Sequence, residues 1–310
     1  MMEEPVAVAQ DAVRFGTVAL IGRPNAGKST LLNRLVEMKI SIVSDKPQTT
    51  RNQIRGLLNH PRGQAVLVDT PGIHKPGYEM NRRMLRAVYA AIQDVDLLLV
   101  ITDASRSRGA GDRFVLEVVK KANRPAILLL NKVDCVAKHR LLPLIDLYRQ
   151  EYEFLEIIPI SALTGVQVDR MVGRIFDHLP PGEPLYPADY VTDRTERFLV
   201  GEMVREKILL HTREELPYTT AVVIERFDES ERSSQGLVRI AAKIIVEKSS
   251  QQGIVVGSGG SMIKAIGSDA RLEIESLLGC RVFLELVVRT RENWRNDVTF
   301  LESIEIGPGQ

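Results

Sequence analysis

The chain has 310 residues, 44% of them hydrophobic and 26% charged, with a formal net charge of +1. That length allows two domains with a core each, the composition is that of a globular rather than a disordered or fibrous protein, and no apolar run approaches the roughly 18 residues of a membrane-spanning helix. Two cysteines, Cys135 and Cys280, without CxxC spacing, exclude a disulfide scaffold or a zinc site, and the acidic start Met1-Met2-Glu3-Glu4 lacks a signal-peptide core, so an intracellular, reducing compartment is expected.

A first strand, 15–22, runs into Gly22-Arg23-Pro24-Asn25-Ala26-Gly27-Lys28-Ser29, with Thr30 following, and a helix over 28–37. This is the phosphate-binding pattern GxxxxGK[ST] in its required strand–loop–helix setting. Backbone N–H groups and the helix N-terminus cradle the phosphates, Lys28 supplies a point charge to the β- and γ-phosphates, and the Ser29 hydroxyl is a Mg²⁺ ligand. The polar stretch Ser44 to Asn52 has no apolar period and lies where a switch segment belongs, one whose threonine completes the Mg²⁺ shell when a γ-phosphate is present. Thr50 is favoured for that part, with Thr49 as the alternative.

Residues 53–59 and 64–69, joined by His60-Pro61-Arg62-Gly63, read as a hairpin that adds an antiparallel edge strand. It ends in Asp69-Thr70-Pro71-Gly72: Asp69 can hold Mg²⁺ through water, and the Gly72 N–H can reach a γ-phosphate. The next residue is Ile73, whose aliphatic side chain cannot orient water, so hydrolysis must rely on Mg²⁺, Lys28 and backbone donors and should be slow without a partner. His74 beside it reads as a surface loop residue, and Arg82-Arg83-Met84-Leu85-Arg86, on a helix over 81–92, as a solvated basic face.

Strands at 96–103, 125–131 and 156–160 alternate with helices at 110–121, 140–152 and 168–178. The runs Leu97–Ile101 and Ala126–Leu130 are continuous rather than alternating, the mark of strands buried on both faces of a mostly parallel sheet. Asn131-Lys132-Val133-Asp134 ends one of them. The Asp134 carboxylate can accept from both the ring N–H and the exocyclic amine of guanine, and because adenine lacks that amine, discrimination could reach about 10⁴-fold. Asn131 can bridge to the phosphate loop, the Lys132 stem can cover the base, and Ser161-Ala162-Leu163 offers a backbone N–H to the guanine carbonyl oxygen. Four motifs in register define a GTP-binding domain. Cys135 reads as a small filler.

Leu179 to Pro187 holds four prolines in nine residues and cannot continue a helix, so a linker belongs there. The expected division is a GTP-binding domain at 1–180, a linker at 181–194, a second domain at 195–300 and a tail at 301–310. The second domain reads helix (195–212), strands (219–227, 237–247), a short helical piece, Gly257-Ser258-Gly259-Gly260, helix (261–278) and strand (281–290). A GXXG loop in that order is the KH arrangement, which grips single-stranded RNA backbone beside an apolar groove, here with Ile254-Val255-Val256 and Met262-Ile263-Lys264 as its expected floor. Arg271 is a further candidate contact; Lys248, Arg289, Arg291 and Arg295 read singly as surface charge, and Trp294 as either a base-stacking or a packing residue. Bulk charge does not assist: residues 1–184 carry 25 Lys plus Arg against 20 Asp plus Glu, residues 185–310 carry 16 against 20. Any grip on RNA must be local.

These residues, together with Pro47-Gln48-Thr49-Thr50-Arg51, Glu215-Leu216-Pro217-Tyr218 and Ile263-Lys264-Ala265-Ile266-Gly267 to Ala270-Arg271, resemble the Era-type GTPase family over roughly 15–300. The resemblance implies a P-loop G domain followed by a type II KH domain that binds 16S ribosomal RNA near its 3′ end and assists small (30S) subunit assembly. It implies Mg²⁺ as cofactor, K⁺ beside Asn25, action as a monomer in the cytoplasm, and peripheral association with the inner membrane. Gly253 and Ser258 stand where Era-type sequences carry lysines, which removes two phosphate contacts. Two readings of another class stay open at this level: a GTP-controlled protein-interaction module whose KH-like domain never touches RNA, and a membrane or cell-cycle signalling switch.

Overall fold

The computed structural model describes residues 12–46, 49–73, 77–212 and 216–306. Its first part places β1 (Arg14–Gly22), α1 (Lys28–Leu35), β2 (Ile54–His60), β3 (Gly63–Asp69), α2 (Glu79–Gln93), β4 (Leu97–Asp103), α3 (Ala110–Ala122), β5 (Ala126–Asn131), α4 (Leu141–Arg149), β6 (Glu156–Pro159) and α5 (Val168–His178) in chain order. The strands form one six-stranded sheet, β2-β3-β1-β4-β5-β6, parallel except for β2, which runs antiparallel to β3 as the hairpin reading requires. All six residues of β5 are buried, because helices cover both faces. Leu31 and Leu32 of α1 and Met171 and Ile175 of α5 pack on one face; Val88 of α2, Val115 and Val119 of α3 and Tyr148 of α4 pack on the other. Each such fully buried aliphatic side chain contributes about 1.5–3 kcal/mol. The layering leaves the C-terminal ends of the parallel strands on one edge, where ligands bind in open α/β sheets.

The second part comprises α6 (Glu196–His211), α7 (Leu216–Thr219), β7 (Ala221–Asp228), α8 (Arg232–Gln235), β8 (Leu237–Val246), α9 (Ser249–Val256), α10 (Ser261–Leu278), β9 (Arg281–Thr290) and α11 (Val298–Ser303). Its sheet is β7-β8-β9, with β8 antiparallel to β7 and parallel to β9. Val204 and Ile208 of α6, Ile266, Ala270 and Ile274 of α10, and the alternate residues Val238, Ile240 and Ile244 of β8 make its core. The strand expected at 219–227 starts only at Ala221, because Leu216–Thr219 closes a helical turn first.

The proline-rich connection runs extended along the hairpin. Leu57 N donates to Val191 O at 2.9 Å, and Gln64 exchanges two bonds with the Tyr186 backbone at 3.0 and 3.1 Å. These bonds cover the edge that β2 would otherwise expose. The division expected at residue 300 falls inside α11, whose Phe300 and Leu301 are buried with Trp294, Ile306 and, from α2, Met80 and Met84. Periodicity could not place a helix of six residues. Arg82 and Arg86 lie exposed on α2, as expected of a solvated face, and both pair with Glu79 at 2.8 and 2.6 Å, while the more buried Arg83 reaches Glu302 at 2.9 Å. Among the described residues no helix is long and apolar enough to cross a membrane.

Candidate nucleotide site and nucleic-acid cleft

The phosphate loop leaves β1 at Gly22 and turns into α1 through Gly27, whose φ of 99° lies in the left-handed region. A Cβ on Gly27 would stand 2.1 Å from Asn131 Nδ2, so only glycine lets the loop meet the guanine-binding strand. Asn131, 2% exposed, fixes that meeting: its Nδ2 donates to Ala26 O at 2.7 Å and its Oδ1 accepts from Ala162 N at 2.9 Å. Three of the four motifs are thus tied through one amide side chain. The fourth is tied by Ile73 N, which donates to Gly22 O at 3.1 Å, and by Gly72, packed against Pro24 too closely for any Cβ. Thr70 donates to Leu20 O at 2.7 Å and holds the turn through Pro71 to the strand beside it.

Lys28 is 5% exposed and donates to Gly22 O and Arg23 O at 3.3 and 3.1 Å, so its ammonium sits inside the loop. Burial pulls it below the usual lysine range against the opposing pull of Asp69. Beside it, Ser29 Oγ lies 2.8 Å from Thr50 Oγ1 and 2.7 Å from Asp69 Oδ2, and Ser41 Oγ donates to the same carboxylate oxygen at 2.9 Å. The other oxygen, Asp69 Oδ1, is buried with no hydrogen-bond partner, and burial pushes the carboxyl up despite Lys28 and three hydroxyls pulling it down. An oxygen-only cluster with an orphaned carboxylate oxygen fits a hard divalent cation such as Mg²⁺. The geometry separates the two candidate threonines: Thr50 is in the cluster, whereas the Thr49 hydroxyl donates to Lys46 O at 2.6 Å.

At the base end, Lys132 has a left-handed φ of 67° and its Nζ meets Asp103 Oδ2 at 2.7 Å, which fixes the stem. Val133 N donates to Ile160 O at 3.2 Å and anchors the turn on the next strand. Asp134 is exposed, and the Ser161 hydroxyl, then the Cys135 thiol, hold its carboxyl below the usual range, ready to accept from a base. Cys135 is exposed, not the filler expected, because its thiol turns outward to Asp134 at 3.2 Å. Ser161 is fully buried and Leu163 is 70% exposed at the mouth. Ile73 is buried in the core under α2 and offers nothing to water, as its chemistry required. His74, Pro47 and Gln48 lie outside the described residues. Asn25 lines the hollow in front of the cluster with Gly27, Lys28, Ser29, Thr30 and Thr50, and its amide donates to Asp45 O; Arg23 turns away to Asp112 at 2.8 Å.

In the second domain Gly257 (φ 74°) ends α9, and a Cβ there would meet Met262 Cβ at 2.7 Å, so the glycine turn is demanded by packing. Ser258 and Gly259 are exposed, and Gly260 opens α10. The groove beside them keeps Ile263 and Lys264 of the expected floor but not Ile254 to Val256. Val255 is in the core and Ile254 is 54% exposed on the far side of α9, since a helix there turns consecutive residues about 100° apart. The cleft, about 370 Å³, lies between α10 and β9 and is lined by Ile263, Lys264, Gly267, Arg271, Phe283 and Leu286. Phe283, 47% exposed, is the residue sequence reasoning missed; its place on the open face of an edge strand is the signal that could have found it. Among the described residues no carboxylate pairs with Lys264 or Arg271, whereas Arg291 and Arg295 are tied to Asp297 and Glu247. Trp294 is fully buried and faces no cleft.

A parallel sheet with a phosphate loop, a hydroxyl–carboxylate cluster and a guanine-edge carboxylate on one rim, joined to a KH sheet, is the architecture of a P-loop GTPase carrying a nucleic-acid-binding domain. The family described as 50S ribosome-binding GTPase matches residues 17–132, and the KH domain family matches residues 215–295. The chain is 46% identical to GTPase Era of Geobacter metallireducens over 297 residues, 96% of this chain and 99% of that one, and 47% identical to GTPase Era of Geotalea uraniireducens over 289 residues, 93% and 96%. Among solved structures it matches a single-residue variant of Aquifex aeolicus Era bound to GDP·AlF4⁻ (TM-score 0.91, 36% identity, 95% and 100% covered) and Era in complex with MgGDPNP and nucleotides 1506–1542 of 16S ribosomal RNA (TM-score 0.92, 36% identity, 95% and 99% covered). The chain belongs to the Era family of GTPases.

Proposed function

We propose that this GTPase uses its nucleotide state to control binding of the 3′ end of 16S ribosomal RNA by the α10–β9 cleft, and so assists small-subunit assembly. The observation that carries the reading is the cleft itself: an aromatic ring and two cations without a carboxylate partner among the described residues line one groove along α10, the helix that the glycine turn opens. Relatives of the same length include one solved with that RNA segment and MgGDPNP. Four backbone nucleotides clamped by a GXXG turn, with bases stacked on an aromatic residue, are the binding mode such a groove permits. The test is filter binding of the full chain to a 3′-end 16S oligonucleotide, with GTP analogue and with GDP. Binding that depends on the nucleotide is expected, and Lys264→Ala with Arg271→Ala should weaken it and flatten its salt dependence by about two counterions. No RNA binding in either state would favour the protein-interaction reading.

In the nucleotide site the proposal assigns Lys28 to the β- and γ-phosphates, Ser29 and Thr50 to Mg²⁺ directly, Asp69 to it through water, and the Gly72 N–H to the γ-phosphate. Ser29, Thr50 and Asp69 would hold Mg²⁺, which would supply positive charge against the phosphates. Lys28 and backbone donors then stabilise charge developing on the γ-phosphoryl group, with no side chain at position 73 to orient water. Asn131 and Asp134 hold guanine, and Lys132 and Leu163 flank it. The proposal extends to potassium beside Asn25, which lines the hollow in front of Lys28 and Thr50. Hydrolysis is expected to be faster in KCl than in NaCl at equal ionic strength, and equal rates would remove that role. The same reading has the protein act as a cytoplasmic monomer; peripheral membrane association is carried by family resemblance alone.

A further inference from the structure

The segment that delivers Thr50 to the nucleotide site is held at several points by the other domain. Arg205 of α6, 2% exposed, donates through Nη2 to Thr49 O, and its guanidinium is fixed by Glu202 at 2.7 and 2.6 Å. Glu206, also 2% exposed, accepts from Val43 N at 2.7 Å and pairs with Lys39. On the far side of Thr50, Arg51 Nη1 donates to Thr220 O at 2.7 Å, and its guanidinium lies 5.7 Å from the Trp294 ring. Three consecutive residues therefore alternate: 49 is bound to the second domain, 50 to the Ser29–Asp69 cluster, and 51 to the second domain again.

We propose that Arg205 is a positioning residue for the nucleotide site, and that α6 of the KH domain completes the triphosphate-bound state by fixing Thr50 through the Thr49 carbonyl. The proposal rests on the nucleotide reading above and adds the element that links it to RNA. Two anchored neighbours restrict the direction of the side chain between them, so Thr50 faces Ser29 only while α6 is docked. A γ-phosphate with its cation rewards that facing; a diphosphate does not. Domain docking and triphosphate occupancy then draw on one equilibrium, and by linkage each strengthens the other by the same factor. The chemistry of the contact suits a switch. Arg205 and Glu206 are buried and ionic where an apolar interface would adhere in either state, and directional bonds to buried charges are lost together once geometry fails.

The experiment uses the full chain with Arg205→Met, which keeps most of the stem's bulk, and follows a fluorescent GTP analogue and fluorescent GDP by equilibrium titration across Mg²⁺ concentrations. Losing a charge-assisted bond at a buried site should raise the Mg²⁺ concentration needed for half-maximal analogue binding by about tenfold or more. GDP affinity should stay within about twofold. Arg205→Lys, which keeps the charge without the fork, should recover part of the loss. An unchanged Mg²⁺ requirement in folded Arg205→Met protein would overturn the proposal and leave Arg205 a packing residue. Should that variant lose its native circular dichroism, Glu202→Gln, which loosens the guanidinium without emptying the interface, must shift the same midpoint in the same direction, and no shift would overturn the proposal equally. A parent protein that bound no GTP would instead overturn the functional reading beneath it.

Discussion

Replacing Asp134 with asparagine is expected to lower GTP affinity by about 10³-fold while leaving the fold intact. Asp134 is exposed on the turn after β5, so the substitution empties no core. Its carboxyl is held below the ordinary range by the Ser161 hydroxyl and the Cys135 thiol, so both oxygens accept at neutral pH. Guanine presents two donors to it, the ring N–H and the exocyclic amine. An asparagine offers one acceptor and turns its own N–H₂ against the second donor. Each hydrogen bond to a charged group is worth about 1.5–3 kcal/mol, so losing one and opposing the other amounts to roughly 4 kcal/mol, a factor of about 10³. Xanthosine triphosphate, which carries a carbonyl where guanine carries the amine, should bind the variant better than GTP does. Titration of the parent and the variant with both nucleotides and with ATP measures all of this. A variant within about threefold of the parent for GTP would remove Asp134 from the base site.

That prediction could be made from the sequence, and the reason is local. Asp134 follows closely on the apolar run Ala126–Leu130, which can only be a buried strand, and a strand of a parallel sheet delivers its C-terminal end to the ligand rim. The same logic recovered the phosphate loop, the hairpin and the DxPG turn. It favoured Thr50 and kept Thr49 as the alternative, because adjacent threonines differ only in which way the backbone turns them, and the backbone between them is contacted by Arg205, 156 residues from Thr49 in the chain. It could not separate Ile254 from Val255 for a related cause: they are neighbours in sequence but lie on different faces of α9, one 54% exposed and one fully buried. Buried ionic side chains such as Arg51, Arg205 and Glu206 left no periodic trace at all. A helix that packs on its own sheet and on a second domain is buried on more than one side, and amphipathic reading expects only one.

Trp294 tests the domain junction in the same way, and its truncation to alanine is expected to cost about 3–5 kcal/mol of folding stability. The side chain is fully buried, its indole Nε1 donates to Thr219 O at 3.0 Å, and its ring meets Phe300 edge-on at 5.8 Å. It shares a cluster with Met80 and Met84 of α2, Ala221 and Ile245 of the second sheet, and Leu301 and Ile306 at the C-terminal end. The cavity left by alanine would therefore open between the domains rather than within either, and Arg51 would lose the ring that lies 5.7 Å from its guanidinium. Burial and the nearby Arg205 already lower that guanidinium to about 9, a cation retained at neutral pH but poorly placed to lose an aromatic neighbour. Calorimetry of the full chain should show the variant's transition moving down and broadening toward two steps, because the truncation weakens a cluster that helps couple the domains. Trp294→Phe, which keeps an aromatic ring but not the indole N–H, should lose closer to about 1 kcal/mol. A base-stacking tryptophan would give the opposite pattern: RNA affinity would fall in the alanine variant with its melting unchanged.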